Sequence, residues 1–105
     1  MPKLLGDSDI NSRLRGLKGW RHERDFLTKT FKFDSFMDGI AFINRLALVA
    51  EEKQHHPDIK VRYTSIKLSI QTHSEGGITR RDFELASAIE EALLVSRRHV
   101  MARQT

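Results

Sequence analysis

The residues with the most chemical potential are His55 and His56, followed at once by Pro57, and a third histidine, His73, in the run Thr72-His73-Ser74-Glu75-Gly76-Gly77. Imidazole is the side chain whose ordinary pKa lies nearest neutral pH, so it can both give and take a proton there. The chain has no cysteine. A histidine cluster without thiols indicates either general acid–base chemistry or a metal site. Two carboxylates stand near it in sequence. Glu51 lies four residues before His55, on the same helical face, where it could orient an imidazole or share in proton transfer. Asp82 lies three residues after Thr79, the spacing of a helix capping box, and that structural role alone would account for it.

The spacing speaks against a metal. Neighbours on a helix point about 100° apart, so His55 and His56 are poorly placed to ligate one ion from a regular turn. A zinc set of His55 or His56 with His73 and Glu51 is possible in composition, yet it matches no helical zinc motif such as H-E-x-x-H. The absence of cysteine removes thiolate chemistry and disulfides. No serine stands in a nucleophile-elbow motif. Neither a metal nor a cofactor is expected.

The elements that must hold these residues follow from periodicity. Ser8 to Leu17 reads as a first helix, with Ile10, Leu14 and Leu17 at helical spacing. Trp20–Glu23 and Phe26–Phe33 read as two strands with a tight turn at Arg24–Asp25. In the second strand Leu27, Phe31 and Phe33 share a face that Lys29 interrupts. Ser35, with Asp38 at capping-box spacing, opens the longest helix. Its apolar stripe is Phe36, Ile40, Ile43, Ala47 and Ala50, widened by Phe42, Leu46 and Val49. Pro57 forbids continuation, so this helix ends near Lys53 or Gln54 and the histidine pair sits at its C-terminus.

Asp58–Tyr63 and Ser65–Thr72 read as two further strands. Ile66, Leu68 and Ile70 alternate with Lys67, Ser69 and Gln71, which puts His73 at the strand end with the polar face. After Gly76–Gly77, Thr79 and Asp82 begin a last helix that reaches about Arg98 to Arg103, with Leu85, Ile89, Ala92 and Ser96 as its inner edge and Leu93 beside them. The order is α-β-β-α-β-β-α. Short hairpin links imply a four-stranded antiparallel sheet with the helices packed on one face, an α+β fold, leaving the other face open or used for assembly. All three histidines fall at element ends, so none is expected to be needed for folding. Trp20 is expected in the core. Tyr63 reads as a partly buried strand tyrosine, and His22 and His99 as surface residues.

Length and composition bound the rest. At 105 residues the chain is expected to form a single domain, residues 1–105, with a core that needs no staples. Hydrophobic residues at 39% and charged residues at 30% are those of a soluble globular protein. No apolar stretch is long enough to span a bilayer, and the start, Met1-Pro2-Lys3-Leu4-Leu5-Gly6-Asp7, soon turns acidic, unlike a signal peptide. A cytoplasmic address and no membrane partner are expected. The net charge of +4 is dispersed, with local runs only at Arg80–Arg81 and Arg97–Arg98, and no basic stripe or motif marks direct nucleic-acid binding.

Taken together, Glu51-x-x-x-His55-His56-Pro57, Tyr63, and Thr72-His73-x-x-Gly76-Gly77-Ile78-Thr79-x-x-Asp82-x-x-Leu85-Ala86 resemble the pterin-4a-carbinolamine dehydratases. Leu17-x-Gly19-Trp20 and the segment Phe31-x-Phe33 to Phe36 extend the resemblance over nearly the whole chain. It implies dehydration of 4a-hydroxytetrahydropterin to quinonoid dihydropterin, which recycles the pterin of aromatic amino-acid hydroxylases without a metal. By position it implies His55, His56, His73 and Glu51 as catalytic residues and Asp82 as a further acidic residue near the site. The pterin would lie near the His56–Pro57 turn and the Thr72–His73 strand end, making Pro57, Thr72 and Asp82 the substrate-binding positions. Gln54 stands where animal members carry an aspartate. The resemblance also implies a dimer or tetramer. Two other readings remain on the same fold. One is a non-catalytic assembly module, as in an animal member that assists dimerisation of a homeodomain transcription factor. The other is a pterin protein outside hydroxylase recycling.

Overall fold

The chain folds, in a computed structural model, as three helices and one four-stranded antiparallel sheet. The structure describes residues 3–104, with side chains described through residue 94. In chain order the elements are α1 (Asp7–Leu14), β1 (Arg21–Glu23), β2 (Phe26–Lys32), α2 (Phe36–Lys53), β3 (Asp58–Arg62), β4 (Ser65–Ile70) and α3 (Arg80–Gln104). A short 3₁₀ turn, His73–Glu75, follows β4. The order and fold class are those expected from the sequence.

The sheet runs β1-β2-β4-β3, so β2 and β4 are central and β1 and β3 are edges. The β2–β4 register pairs Leu27 with Ile70, Lys29 with Leu68 and Phe31 with Ile66. Side chains alternate across a strand, so this register gathers Leu27, Phe31, Ile66, Leu68 and Ile70 on one face. There they meet Phe42 and Leu46 of α2, Leu85, Ala86 and Ile89 of α3, and Ile10 of α1 in one buried core.

Lys29 interrupts that face without leaving an unpaired charge. Its ammonium donates to Glu90 Oε2 at 2.6 Å and to the Lys18 carbonyl at 3.0 Å, and lies 4.7 Å from the centre of the Phe31 ring. Trp20 is buried as expected, and its indole N–H donates to the same Glu90 oxygen at 2.8 Å. One glutamate of α3 thus ties down β2 and the segment before β1.

The opposite face of the sheet is polar. There the Glu23 carboxylate accepts from the Thr28 hydroxyl and pairs with Lys67 at 3.4 Å, and these two partners hold it below the usual carboxylate range.

α2 turns a different stripe to the core from the one that begins at Phe36. Gly39, Phe42, Leu46 and Ala50 are buried, whereas Phe36 is 44% exposed and Ala47 is exposed. Gly39 explains the rotation. A Cβ there would sit 3.0 Å from Ile66 Cδ1 and 3.5 Å from Phe33 Cδ2, so the helix approaches β4 where it has no side chain. Ser35 caps α2 as its spacing implied, its hydroxyl accepting from the Asp38 N–H at 3.1 Å.

α1 begins at Asp7 and ends at Leu14, shorter than the expected Ser8–Leu17, while Leu14 and Leu17 still pack against the core. In α3, Leu85, Ile89, Ala92 and Leu93 are buried as expected; the side chains of Ser96 and His99 lie outside the described residues. Tyr63 departs from expectation: it occupies the β3–β4 turn at φ 52° and is 77% exposed. His22 is half-buried on β1. No described helix is long and apolar enough to cross a membrane.

The Gly39 contact can be tested by filling it. Gly39→Val should lower unfolding stability by about 1–3 kcal/mol, the usual cost of overpacking a dense core. Chemical denaturation followed by circular dichroism would measure it, and an unchanged midpoint would show that α2 does not lie this close to Ile66.

Candidate functional site

The site is assembled by the ends of three elements. Helix α2 stops at Gln54, which takes the left-handed conformation at φ 50°, ψ 45°. Its N–H bonds to the Glu51 carbonyl at 3.2 Å, and the His55 N–H reaches back to the Ala50 carbonyl at 3.1 Å. This pair of bonds is a Schellman motif, with glutamine where glycine is usual. It closes the helix and turns the chain so that His55 and His56 leave in different directions. The Gln54 side chain is exposed. What this residue supplies to the site is its backbone.

His55 is directed inward. It is only 8% exposed, and its Nε2 lies 2.5 Å from Asp82 Oδ1. Asp82 itself is fully buried. Its second oxygen, Oδ2, accepts the Thr79 N–H at 2.7 Å and the Thr72 hydroxyl at 2.9 Å. Three donors therefore converge on one carboxylate, from the end of α2, the exit of β4 and the start of α3. With the carboxylate as acceptor, the neutral ring of His55 carries its proton on Nε2, and Nδ1 is left as the acceptor nitrogen.

The neighbouring hydroxyls have a defined direction. Thr72 Oγ1 spends its proton on Asp82, so the 2.7 Å contact between Thr72 Oγ1 and Thr79 Oγ1 is donated by Thr79. Thr79 Oγ1 in turn accepts the Arg81 N–H at 3.2 Å. The capping box foreseen at Thr79–Asp82 is thus present in part. Asp82 caps the Thr79 N–H, while the threonine hydroxyl serves the second helical residue and the buried cluster. Asp82 is at once a cap and the partner of His55.

The other two histidines of the site, His56 and His73, face solvent. The His56 side chain is 59% exposed, and its Nε2 meets Glu51 Oε2 at 2.5 Å. Glu51 was expected to pair with His55 four residues on. The left-handed turn at Gln54 breaks the helical spacing, so the glutamate meets the next residue instead. An exposed pair of this kind contributes little to stability, at most about 1 kcal/mol.

His73 lies beyond the end of the strand, because β4 ends at Ile70. Thr72, bridged to Gly77 through a backbone N–H to carbonyl bond of 2.9 Å, leads into the 3₁₀ turn whose first residue is the exposed His73. Gly76 ends that turn at φ 70°, a conformation that favours glycine. Thr72, 2% exposed, uses its hydroxyl within the protein, so its side chain does not face a ligand. Pro57 is half-buried at the entry to β3.

Asp82 therefore links His55 to the residue immediately before His73, and the exposed His56 follows His55 directly. Sequence reasoning brought these residues to one rim of the sheet but missed two contributors. Thr79 was read only as a cap, and Arg81, whose guanidinium donates to the Gln54 carbonyl at 2.9 Å, only as part of a short basic run. Among the described residues, no three His, Asp or Glu side chains are arranged to hold a metal ion.

The burial of Asp82 makes a defined expectation. An amide in its place offers one oxygen and an N–H₂, so either a converging donor meets another donor or His55 must change tautomer to accept from the amide, and the charge that strengthens all three bonds is lost. Asp82→Asn should cost about 1–3 kcal/mol of stability, the usual penalty for a buried group left unsatisfied. Equilibrium unfolding in urea measures it, and a wild-type midpoint would contradict the convergence.

Residues 3–92 match the family model described as pterin 4 alpha carbinolamine dehydratase. A protein of Trichormus variabilis, named "Putative pterin-4-alpha-carbinolamine dehydratase", is 43% identical over 91 residues, covering 87% of this chain and 98% of that protein. A Mycobacteroides abscessus protein of the same name is 47% identical over 87 residues, covering 83% and 93%. Among solved structures, a Brucella melitensis protein described as a transcriptional coactivator/pterin dehydratase superposes with a TM-score of 0.83 at 32% identity, covering 87% of this chain and 99% of that one. A pterin dehydratase-like protein identified as a RuBisCO assembly factor in the alpha-carboxysome has a TM-score of 0.58 at 23% identity, covering 70% and 86%, and shares the fold. The chain belongs to the pterin 4 alpha carbinolamine dehydratase family.

Proposed function

We propose that the protein dehydrates 4a-hydroxytetrahydropterin to quinonoid dihydropterin by histidine acid–base catalysis. The observation that carries this reading is the buried Asp82, which accepts from both His55 and Thr72 and so draws the histidine pair toward His73. The reaction breaks the C4a–O bond. The departing hydroxyl gains a proton and leaves as water, the ring nitrogen lends its electron pair to form the C=N bond, and its N–H proton passes to a base. Two groups that exchange protons near neutral pH suffice, each contributing typically 10²–10⁴-fold.

The exposed imidazoles of His56 and His73 are the pair open to a substrate at this rim, with Glu51 orienting His56. His55, held by Asp82, offers only Nδ1 and serves as a fixed support beside His56. Pro57, half-buried beside His56, offers the surface on which the pterin ring would rest, while the buried Thr72 and Asp82 support the rim from below. Recycling of the pterin of an aromatic amino-acid hydroxylase, in the cytoplasm, is the setting that the family resemblance suggests.

We further propose that the protein works as a homo-oligomer. Ile59 and Val61 of the edge strand β3 are opposite Leu68 and Ile66, so they face the helical side of the sheet, yet they are 40% and 41% exposed. The helices leave this edge uncovered, and Met37 and Leu48 on α2 are 68% and 72% exposed. An apolar edge strand with unpaired backbone groups is a template for another chain, and a second copy supplies one with two-fold symmetry. Light scattering at micromolar concentration should give a multiple of the 12.2 kDa chain mass; the monomer mass would overturn the assembly.

The histidines separate by role. His56→Ala and His73→Ala should keep wild-type unfolding midpoints and each lower kcat about tenfold or more, as expected when a general acid or base is lost. His55→Ala should also lose about 1–3 kcal/mol of stability, because it strips Asp82 of a buried partner. The measurement is dehydration of freshly generated carbinolamine with the uncatalysed rate subtracted, beside urea unfolding. Full activity in both exposed-histidine variants would overturn their catalytic roles, and a wild-type rate no faster than the uncatalysed one would replace the enzyme reading with that of an assembly module.

A further inference from the structure

We propose that Arg81 is a positioning residue for the reaction: its guanidinium holds the Gln54 carbonyl and so sets the direction in which the backbone delivers His55 and His56. The inference rests on the dehydratase reading of the same site.

The peptide that joins Gln54 to His55 is held at both edges. Its N–H, that of His55, bonds to the Ala50 carbonyl at 3.1 Å, and its carbonyl oxygen, that of Gln54, accepts from Arg81 Nη2 at 2.9 Å. The first bond belongs to α2 and the second comes from the first turn of α3. The carbonyl has no partner within α2, because the last carbonyls of a helix face past its end. Gln54 is also in the left-handed region at φ 50°, which costs a residue with a Cβ roughly 1–2 kcal/mol. A conformation of that cost persists where the surroundings hold it. Arg81 is the external hold: it ties the strained residue to the helix that also carries Asp82.

The two ties act on consecutive residues. Arg81 takes Gln54 by its backbone, and Asp82 takes His55 by its ring. Together they register the end of α2 against the start of α3. His55 keeps its ring bond to Asp82 without Arg81, but His56 has only the exposed Glu51 to hold it. The tilt of the Gln54–His55 peptide is passed on to His56, so loss of the Arg81 bond falls mainly on the histidine open to substrate. The backbone N–H of Arg81, which serves Thr79, survives any substitution of its side chain, so the buried cluster stays capped.

The test compares Arg81→Met, Arg81→Lys and Arg80→Met in the full chain, with Arg80 as the exposed neighbour that removes the same charge from the same turn. Amide hydrogen exchange at His55 and the ring ¹H–¹⁵N signals of His56 report the geometry; steady-state dehydration reports its consequence. In Arg81→Met the His55 amide should exchange about tenfold faster, as a local opening grows easier. The His56 signals should move, and kcat should fall roughly three- to tenfold with KM within about twofold, as small misplacements of a reacting group do. Arg81→Lys, which restores one donor, should recover part of the loss, and it carries the comparison should the methionine variant fail to fold. Arg80→Met should match wild type. Unchanged kcat in Arg81→Met, or an equal loss in Arg80→Met, overturns the inference while leaving the dehydratase reading in place. If wild type itself fails to dehydrate the carbinolamine, the dehydratase reading falls and this role for Arg81 falls with it, whatever the exchange data show.

Discussion

The site depends on one buried carboxylate. Asp82 has no exposed surface, and a carboxylate in that position is tolerable only with its oxygens occupied. They are occupied by an imidazole, a hydroxyl and a backbone N–H from three different elements. Removing any one donor leaves a buried acceptor short, so the three ends are constrained together by the same penalty. The sheet and the helices supply the enclosure that makes the penalty large. Without the apolar packing of Leu85, Ala86 and Ile89 against β2 and β4, Asp82 would be hydrated and would select no partner.

That arrangement divides the three histidines, which the sequence presents as alike. His55 has its Nε2 committed inward, and His56 and His73 stand at the surface. A group whose hydrogen bonds are already taken is well suited to fixing geometry and poorly suited to exchanging protons rapidly with a substrate on both nitrogens. The exposed pair has the opposite properties. The fold thus gives two adjacent histidines opposite surroundings, and the device that does so is a single left-handed residue at the end of α2.

Much of the fold was legible in the residues. Alternation in Ile66, Leu68 and Ile70 placed β4, and Pro57 ended α2 within a residue or two, because both signals are local. The strand that was to reach Thr72 stops at Ile70, and the Thr72 backbone instead bridges to Gly77, a partner that strand alternation does not announce. The rotation of α2 was hidden for a related reason. A stripe counted from Phe36 is as regular as one counted from Gly39, and only the approach of Ile66 decides between them. Likewise Glu51 sits at the correct helical spacing for His55, and nothing in the spacing announces that Gln54 leaves the helix first. Local periodicity is readable; a departure from it that a distant partner stabilises is not.

The Thr79–Asp82 pair shows why one spacing supported two readings. A capping box asks for an acceptor three residues after the cap, and a buried imidazole asks for an acceptor too. Here the carboxylate uses Oδ2 for the helix and Oδ1 for His55, so both roles are filled without competition. The geometry that starts α3 is the geometry that orients the imidazole. A substitution at Asp82 therefore cannot separate folding from positioning. The separation has to be sought one bond further out, at residues such as Arg81 that touch the backbone beside the histidines and leave the carboxylate untouched.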